Sequence, residues 1–287
     1  MIRGFFLALL VFFLPALSLV AEEEADTKIQ EGWRTSRSAA GQMNPLGLSI
    51  DLRLFYVWPL YGEKRGLLWD NCRVEAGLHN SLTPAFDTLS AFVRVEPVAF
   101  FDVSAQAGLR GYYDTFGFGY TPLAGYGASW DSRDRKDAER STATGFRYSF
   151  TATLKGAAGP FVFASATSCT IYDMFETSGG LDYYYDPSAD TALRRFDGFI
   201  TNDSLVLYTF AEGLQGGLVH GFLYVPGSEY VSRRLCLLGR IEGKLNPSCT
   251  AFAAVLGGVF LRDRYNSWKD GRLYAAVQAG INVKLGG

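Results

Sequence analysis

Apolar residues occupy alternate positions over long stretches of this chain. Leu46, Leu48, Ile50, Leu52, Leu54, Tyr56, Trp58 and Leu60 fall on one face of an extended backbone, and Gly47, Ser49, Asp51, Arg53, Phe55, Val57 and Pro59 on the other. A period of two is the signature of a strand, whose successive side chains point to opposite faces. Ordinary strands run about five or six residues, whereas this one alternates for fifteen. Near the other end, Leu273, Ala275, Val277, Ala279, Ile281, Val283 and Leu285 alternate with Tyr274, Ala276, Gln278, Gly280, Asn282 and Lys284. Similar segments are predicted at 67–79, 85–97, 102–116, 142–155, 161–175, 200–210, 216–226, 230–242 and 249–263, which makes eleven strands in all. Turn-forming runs separate them, among them Gly62 to Gly66, Gly156 to Pro160 and Lys244 to Ser248. No helix period and no internal repeat appears.

Strands of this length suit a bilayer, where a tilted strand needs about 9 to 11 residues to cross the hydrocarbon layer. A sheet in lipid must also close, because an edge strand would leave backbone groups unpaired. Tyr56, Trp58, Tyr61, Trp69, Tyr112, Tyr113, Tyr224, Tyr265, Trp268 and Tyr274 cluster near strand ends, as aromatic girdles do at the two interfaces. In these features residues 45–287 resemble bacterial outer-membrane β-barrel proteins of porin-like type. The resemblance implies an all-β, closed, antiparallel up-and-down transmembrane barrel in the outer membrane of a Gram-negative envelope. It also implies contact with outer-membrane lipid and lipopolysaccharide, insertion by the barrel-assembly machinery, and small solutes as candidates for passage through the lumen.

Such barrels have an even number of strands. Twelve is therefore expected, with ten as the alternative, and the uncertain regions are the N-terminal leader and 176–210. Counting back from a periplasmic C-terminus puts the long connections 117–141 and 176–199 outside. The end, Lys284-Leu285-Gly286-Gly287, departs from the terminal aromatic common in the family. The competing architecture is a secreted soluble β-sandwich, with shorter strands and a turn every 8 to 12 residues or so.

Composition fits two-faced strands. Hydrophobic residues are 48%, aromatic 15% and charged 20%, as expected when half of each strand meets lipid and half meets a polar interior. A net charge of −2 gives no reason to expect nucleic acid. Two His and four Cys argue against a multi-His metal site, and no cofactor or metal is expected. Cys72, Cys169, Cys236 and Cys249 are expected as membrane-facing or packed residues, with a Cys236–Cys249 bridge left open. The one sustained apolar run, Phe5 to Val20, follows Arg3 and ends in small residues before Glu22. Its 16 residues fall short of the roughly 18 to 20 of a spanning helix. Residues 1–21 read as a signal peptide cleaved after Ala21, and 22–44 as a polar leader, flexible or loosely docked.

Charges suggest a register. Arg73 and Glu75 share one face, as do Arg94 and Glu96. Setting Arg73 opposite Glu96 and Glu75 opposite Arg94 also sets Gly77 against Phe92, where a ring can cover the glycine. A turn at Gly62 to Gly66 would set Arg53 opposite Glu75. Charge facing lipid costs about 2–4 kcal/mol near the midplane. Asp51, Arg53, Arg73, Glu75, Arg94, Glu96, Arg110 and Arg147 are accordingly expected to line the lumen, either as a plug or as a pore lining.

Catalysis would need a nucleophile, a base and an orienting group at one rim. The weak candidates are His79 and Ser81, whose spacing faintly resembles that of the lipid A 3-O-deacylase barrels, with no acid at a persuasive spacing after Ser81. A lipid-modifying hydrolase is thus the alternative to a non-enzymatic channel or surface-contact protein. His220, between apolar neighbours, is expected to be packed. The tyrosines 183–185 are expected to prolong a strand and pack on one another.

Overall fold

The computed structural model describes residues 31–43, 47–61, 68–69, 72–113, 119–128, 141–177, 182–263 and 271–284. The expected signal segment, the turn at 62–66, the charged run 131–137, Tyr265, Trp268 and the terminal residues 285–287 lie outside these. In chain order the strands are β1 (Gly32–Met43), β2 (Gly47–Pro59), β3 (Arg73–Leu82), β4 (Phe86–Val98), β5 (Phe101–Tyr112), β6 (Thr121–Leu123), β7 (Ala143–Ala158), β8 (Phe161–Thr177), β9 (Tyr183–Asp186), β10 (Thr191–Arg194), β11 (Phe196–Ala211), β12 (Leu214–Val225), β13 (Tyr230–Asn246), β14 (Cys249–Asp263) and β15 (Leu273–Lys284).

Twelve of them close into one antiparallel barrel, in which β15 pairs with β1; β6, β9 and β10 form a separate three-stranded sheet. Closure rules out the sandwich. The twelfth strand is β1, which lies in the stretch expected to be a flexible leader. After Trp33 at the rim, its outward positions are Thr35, Arg37, Ala39 and Gly41, too small or polar to display an apolar period. Its pairing shows what it does: Ala39 sits between Ile50 of β2 and Ala279 of β15, so β1 is the closing stave.

The two faces separate as the alternation predicts. Leu237 (68% exposed), Val255 (58%) and Leu154 (57%) project from the outer face with many other apolar side chains. That band is what a bilayer-spanning barrel presents to hydrocarbon. At one rim of it Trp33, Tyr56 and Trp58 cluster, with ring centroids 5.4 and 4.6 Å apart. On another part of that rim Tyr208 lies 5.3 Å from Phe161 and 5.0 Å from Phe210. Phe146 and Phe175 (5.3 Å) mark the opposite rim. Two expected girdle residues are elsewhere: Tyr112 and Tyr274 are buried on the inner side. Their parity on the strand, not their position near its end, decides this.

The rim with Trp33 carries the short turns β4–β5, β7–β8, β11–β12 and β13–β14. Gly159 and Gly213 take positive φ there (57° and 70°), a conformation that glycine adopts without strain. The two longest connections, β5–β7 (apart from β6) and β8–β11, emerge at the other rim, whereas the 60–72 connection lies at this one.

The β3–β4 register is the one set by the charges: Arg73 faces Glu96, Glu75 faces Arg94 and Gly77 faces Phe92. The β2–β3 register differs. Arg53 faces His79 instead of Glu75. One charge match was weak guidance there, because the connection 60–72 is longer than a hairpin turn and does not fix the pairing. The observed register brings Phe55 to the other side of Gly77, and the Phe55 and Phe92 rings meet at 6.1 Å. A Cβ on Gly77 would lie 2.1 Å from the Leu54 carbonyl oxygen. Gly77→Ala is therefore expected to destabilise the barrel by about 1–3 kcal/mol, as overpacking does. The urea midpoint of the barrel refolded into lipid vesicles measures this; an unchanged midpoint would refute the packing account.

Candidate functional site: the charged lumen and its cap

Inward positions of β3, β4, β5 and β7 near the short-turn rim bring together three cations and three anions. Arg73 Nε lies 2.5 Å from Glu75 Oε1 and its Nη1 lies 3.1 Å from Glu96 Oε2. Arg94 donates Nε and Nη2 to the two oxygens of Asp102 (3.1 and 2.9 Å) and stands 3.8 Å from Glu75. Lys155 Nζ lies 2.5 Å from Glu96 and 3.7 Å from Asp102. The charges alternate around a closed ring: Arg73, Glu75, Arg94, Asp102, Lys155, Glu96. Each carboxylate is held between two cations, which offsets its desolvation. Asp102 and Lys155 were not found from the sequence. Both have inward parity, but the β4–β5 and β5–β7 pairings were needed to place them.

Higher on the same wall a hydrogen-bonded chain links residues of β7, β5, β3 and β2, passing over β4. Arg147 Nη1 donates to Gln106 Oε1 (3.1 Å), and Gln106 Nε2 donates to His79 Nδ1 (2.8 Å). His79 Nε2 then donates to Asp51 Oδ1 (3.1 Å). Since the Gln106 amide can only donate to Nδ1, neutral His79 carries its proton on Nε2. Ser81 also bonds Asp51. The acid thus stands between the serine and the histidine. A nucleophile needs its base within hydrogen-bond reach, and here the Ser81 hydroxyl is directed to the carboxylate. Arg53 lies nearby, 5.8 Å above the Phe92 ring.

Arg110 belongs to neither group. It is buried at the far rim, its guanidinium 3.6 Å from the Phe86 ring centroid and 4.8 Å from those of Tyr112 and Tyr172. Its Nη1 donates to Tyr172 Oη (2.8 Å) and its Nη2 to Asp186 Oδ2 (3.2 Å). Asp186, fully buried at the end of β9, also accepts from Tyr112 Oη (2.6 Å), the Ser188 and Ala189 amides (both 2.8 Å) and the Ser188 hydroxyl. These bonds tie the β6–β9–β10 sheet to the inner wall. Around them Tyr184 stacks on Tyr120 (4.9 Å), and Leu193, Met174, Phe199, Val225 and Tyr230 complete an apolar core. Burial pushes the Tyr120 hydroxyl up to about 12 and that of Tyr184 well above its ordinary value, so both stay neutral. Tyr183 packs on Tyr126 and Tyr184 on Tyr112 and Tyr120, with Tyr185 buried in the same core, but in a cap strand of their own and not in a prolonged barrel strand.

The opposite wall is less filled. Asp203, inward on β11, is about half exposed (52%) and lies 3.5 Å from Arg234 of β13. The pair reaches across β12 over Gly221, where a Cβ would come within 2.6 Å of Arg234 Nε. Cys236 is buried on the inner face, whereas Cys249 has outward parity at the start of β14; all four cysteines are free. Opposite faces preclude the Cys236–Cys249 bridge. His220, expected to be packed between its apolar neighbours, lies half-buried on the outer face opposite Ser204.

No protein-family model and no curated protein matches the chain. Among solved structures it is similar to the NanC porin, with 10% identity and a TM-score of 0.41 over 88% of this chain and 100% of that one. It is similar to the β domain of the Bordetella autotransporter BrkA (11%, 0.45, 89% and 99%). The translocator domain of the autotransporter NalP from Neisseria meningitidis gives 9% and 0.43 over 99% and 97%. Likenesses at this identity carry nothing about activity.

The ring geometry makes a specific demand. Exchanging Glu75 and Arg94 (Glu75→Arg with Arg94→Glu) leaves Arg73 beside a cation and Asp102 beside an anion. The double variant is expected to be no more stable than the worse single one, each losing about 3 kcal/mol or more. Unfolding midpoints in vesicles test this; recovery in the double variant would mean the ring does not act as a unit.

Proposed function

We propose that the chain is a non-enzymatic outer-membrane channel, narrow and passing small polar solutes, with its outer mouth constricted by the β6–β9–β10 cap. The observation that carries this reading is water-accessible charge in the middle of the barrel. Arg53 and Asp203 both have inward parity and both are exposed. A lumen filled by side chains, as in small barrels, would bury them. The two longest connections share the rim opposite the β4–β5, β7–β8, β11–β12 and β13–β14 turns, which suits extracellular and periplasmic ends respectively.

The cap explains why the passage would be narrow. It packs on inward residues of β4, β5, β7, β8, β11, β12 and β13. The remaining wall, β14 through β15 and β1 to β3, contributes nothing to that core among the described residues. Solutes would follow this uncovered side and then the paired charges of the ring, whose alternating signs favour neither ion strongly. A hydrolase is disfavoured by the order Ser81–Asp51–His79.

Planar-bilayer recording tests the reading. The parent protein should give small, steady conductance steps. Asp186→Ala removes the carboxylate that Arg110, Tyr112 and Ser188 share, and should enlarge the steps several-fold by loosening the cap. A folded protein that leaves the bilayer sealed in both forms would overturn the channel reading.

A further inference from the structure

The outer face carries one feature that a lipid-facing surface does not need. At mid-strand on β8 and β11, Ser165, Thr167, Asn202 and Ser204 all have outward parity, beside Phe163, Val206 and Tyr208. They form a closed hydrogen-bond set. Asn202 Nδ2 donates to Ser165 Oγ (3.0 Å) and to Thr167 Oγ1 (2.9 Å). Ser204 donates to Asn202 Oδ1 (2.8 Å), which leaves the Ser165 hydroxyl to donate to Ser204 Oγ (2.9 Å). On the next strand His220 stands opposite Ser204, on the same outer face.

Every hydrogen of Asn202, Ser165 and Ser204 is used within this set. Two capacities are left over: the hydroxyl hydrogen of Thr167, which is exposed, and the ring nitrogens of His220, for which no partner exists among the described residues. Hydrocarbon can satisfy neither, and lipid headgroups do not reach mid-depth. Polar side chains within the membrane act instead as partners across protein–protein contacts.

We infer that this patch is the interface of a parallel homodimer, in which Thr167 of each copy donates to His220 of the other. The placement of the two groups is what selects a second copy of this chain. In a closed, symmetric dimer, two barrels inserted in the same direction are related by a two-fold axis along the membrane normal. Such an axis swaps left for right at constant depth, so a residue on one side of it meets a residue from the other side. Thr167 on β8 and His220 on β12 flank β11, which carries Asn202 and Ser204 on the axis. They are also level. Directly across the strands Thr167 aligns with Asn202 and then Phe222. Followed strand by strand around the barrel, the register climbs toward the long-connection rim. The level partner of Thr167 on β12 therefore lies below Phe222, at His220. Leu218, Val206, Leu235 and Leu237, all exposed, surround the polar centre as an apolar rim.

The experiment uses the full chain with Cys169 and Cys249 changed to serine; Cys72 and Cys236 are buried and stay. Ser204→Cys, on the axis, is oxidised with copper phenanthroline in native membranes, with folding verified by heat-dependent gel mobility. A disulfide-linked species of twice the chain mass is expected. Leu52→Cys, on the opposite wall, should remain monomeric at the same density. In a second measurement without cysteine at the interface, energy transfer between labelled copies in vesicles should report association. His220→Leu should weaken it about tenfold, because two symmetric contacts are lost. A cross-link no stronger than that of Leu52→Cys, a product of some other mass, or association unchanged by His220→Leu would each overturn the dimer.

Discussion

A strand in hydrocarbon has nowhere to send its backbone N–H and C=O groups except to another strand. That constraint demands a sheet without edges, and closure here depends on the least conspicuous segment of the barrel. β1 has a weak outer face, yet it pairs with β2 along one side and β15 along the other. Once the sheet is closed, side-chain parity assigns every strand residue either to lipid or to the lumen. The remaining features of the molecule are consequences of that assignment.

Inside, the polar residues are not spread evenly. One wall, built by β2, β3, β4, β5 and β7, holds the ion ring and the Arg147–Gln106–His79–Asp51 chain. Each member of the ring contacts two others, and the paired charges leave this wall nearly neutral overall. The other wall is looser, with Asp203 and Arg234 bridging over a glycine. The asymmetry is matched at the rim of the two longest connections, where the cap docks on the β4 to β13 side through Arg110 and Asp186. A buried ion pair such as this is costly to desolvate, and it is tolerated because Tyr172, Tyr112 and the turn amides of Ser188 and Ala189 complete its hydrogen bonds. Its effect is positional: it fixes a loop-borne sheet at one place in the lumen.

Outside, the same parity rule that puts leucines in lipid puts Asn202, Ser204, Thr167 and His220 there too. The network satisfies most of their hydrogen bonds internally, which lowers the cost of exposing them. What is left unsatisfied is directional, and directionality is what a lipid cannot match and a protein surface can.

The alternation of apolar residues by itself determined the all-β class, the long strands, the two faces and the inward placement of Arg73, Glu75, Arg94 and Glu96. These depend only on a period of two and on the cost of charge in hydrocarbon, both local in the chain. The β3–β4 pairing was legible as well, because two opposite-charge matches and a glycine covered by a ring agreed on one register across a short turn. The β2–β3 pairing was not, since a long connection leaves the register to packing, and Phe55 against Gly77 and Phe92 decided it. The strand β1, the ring partners Asp102 and Lys155, the burial of Arg110 against Asp186 and the outward turn of His220 likewise came only from the tertiary structure. Each depends on residues far apart in the chain, and only closure of the barrel brings them together.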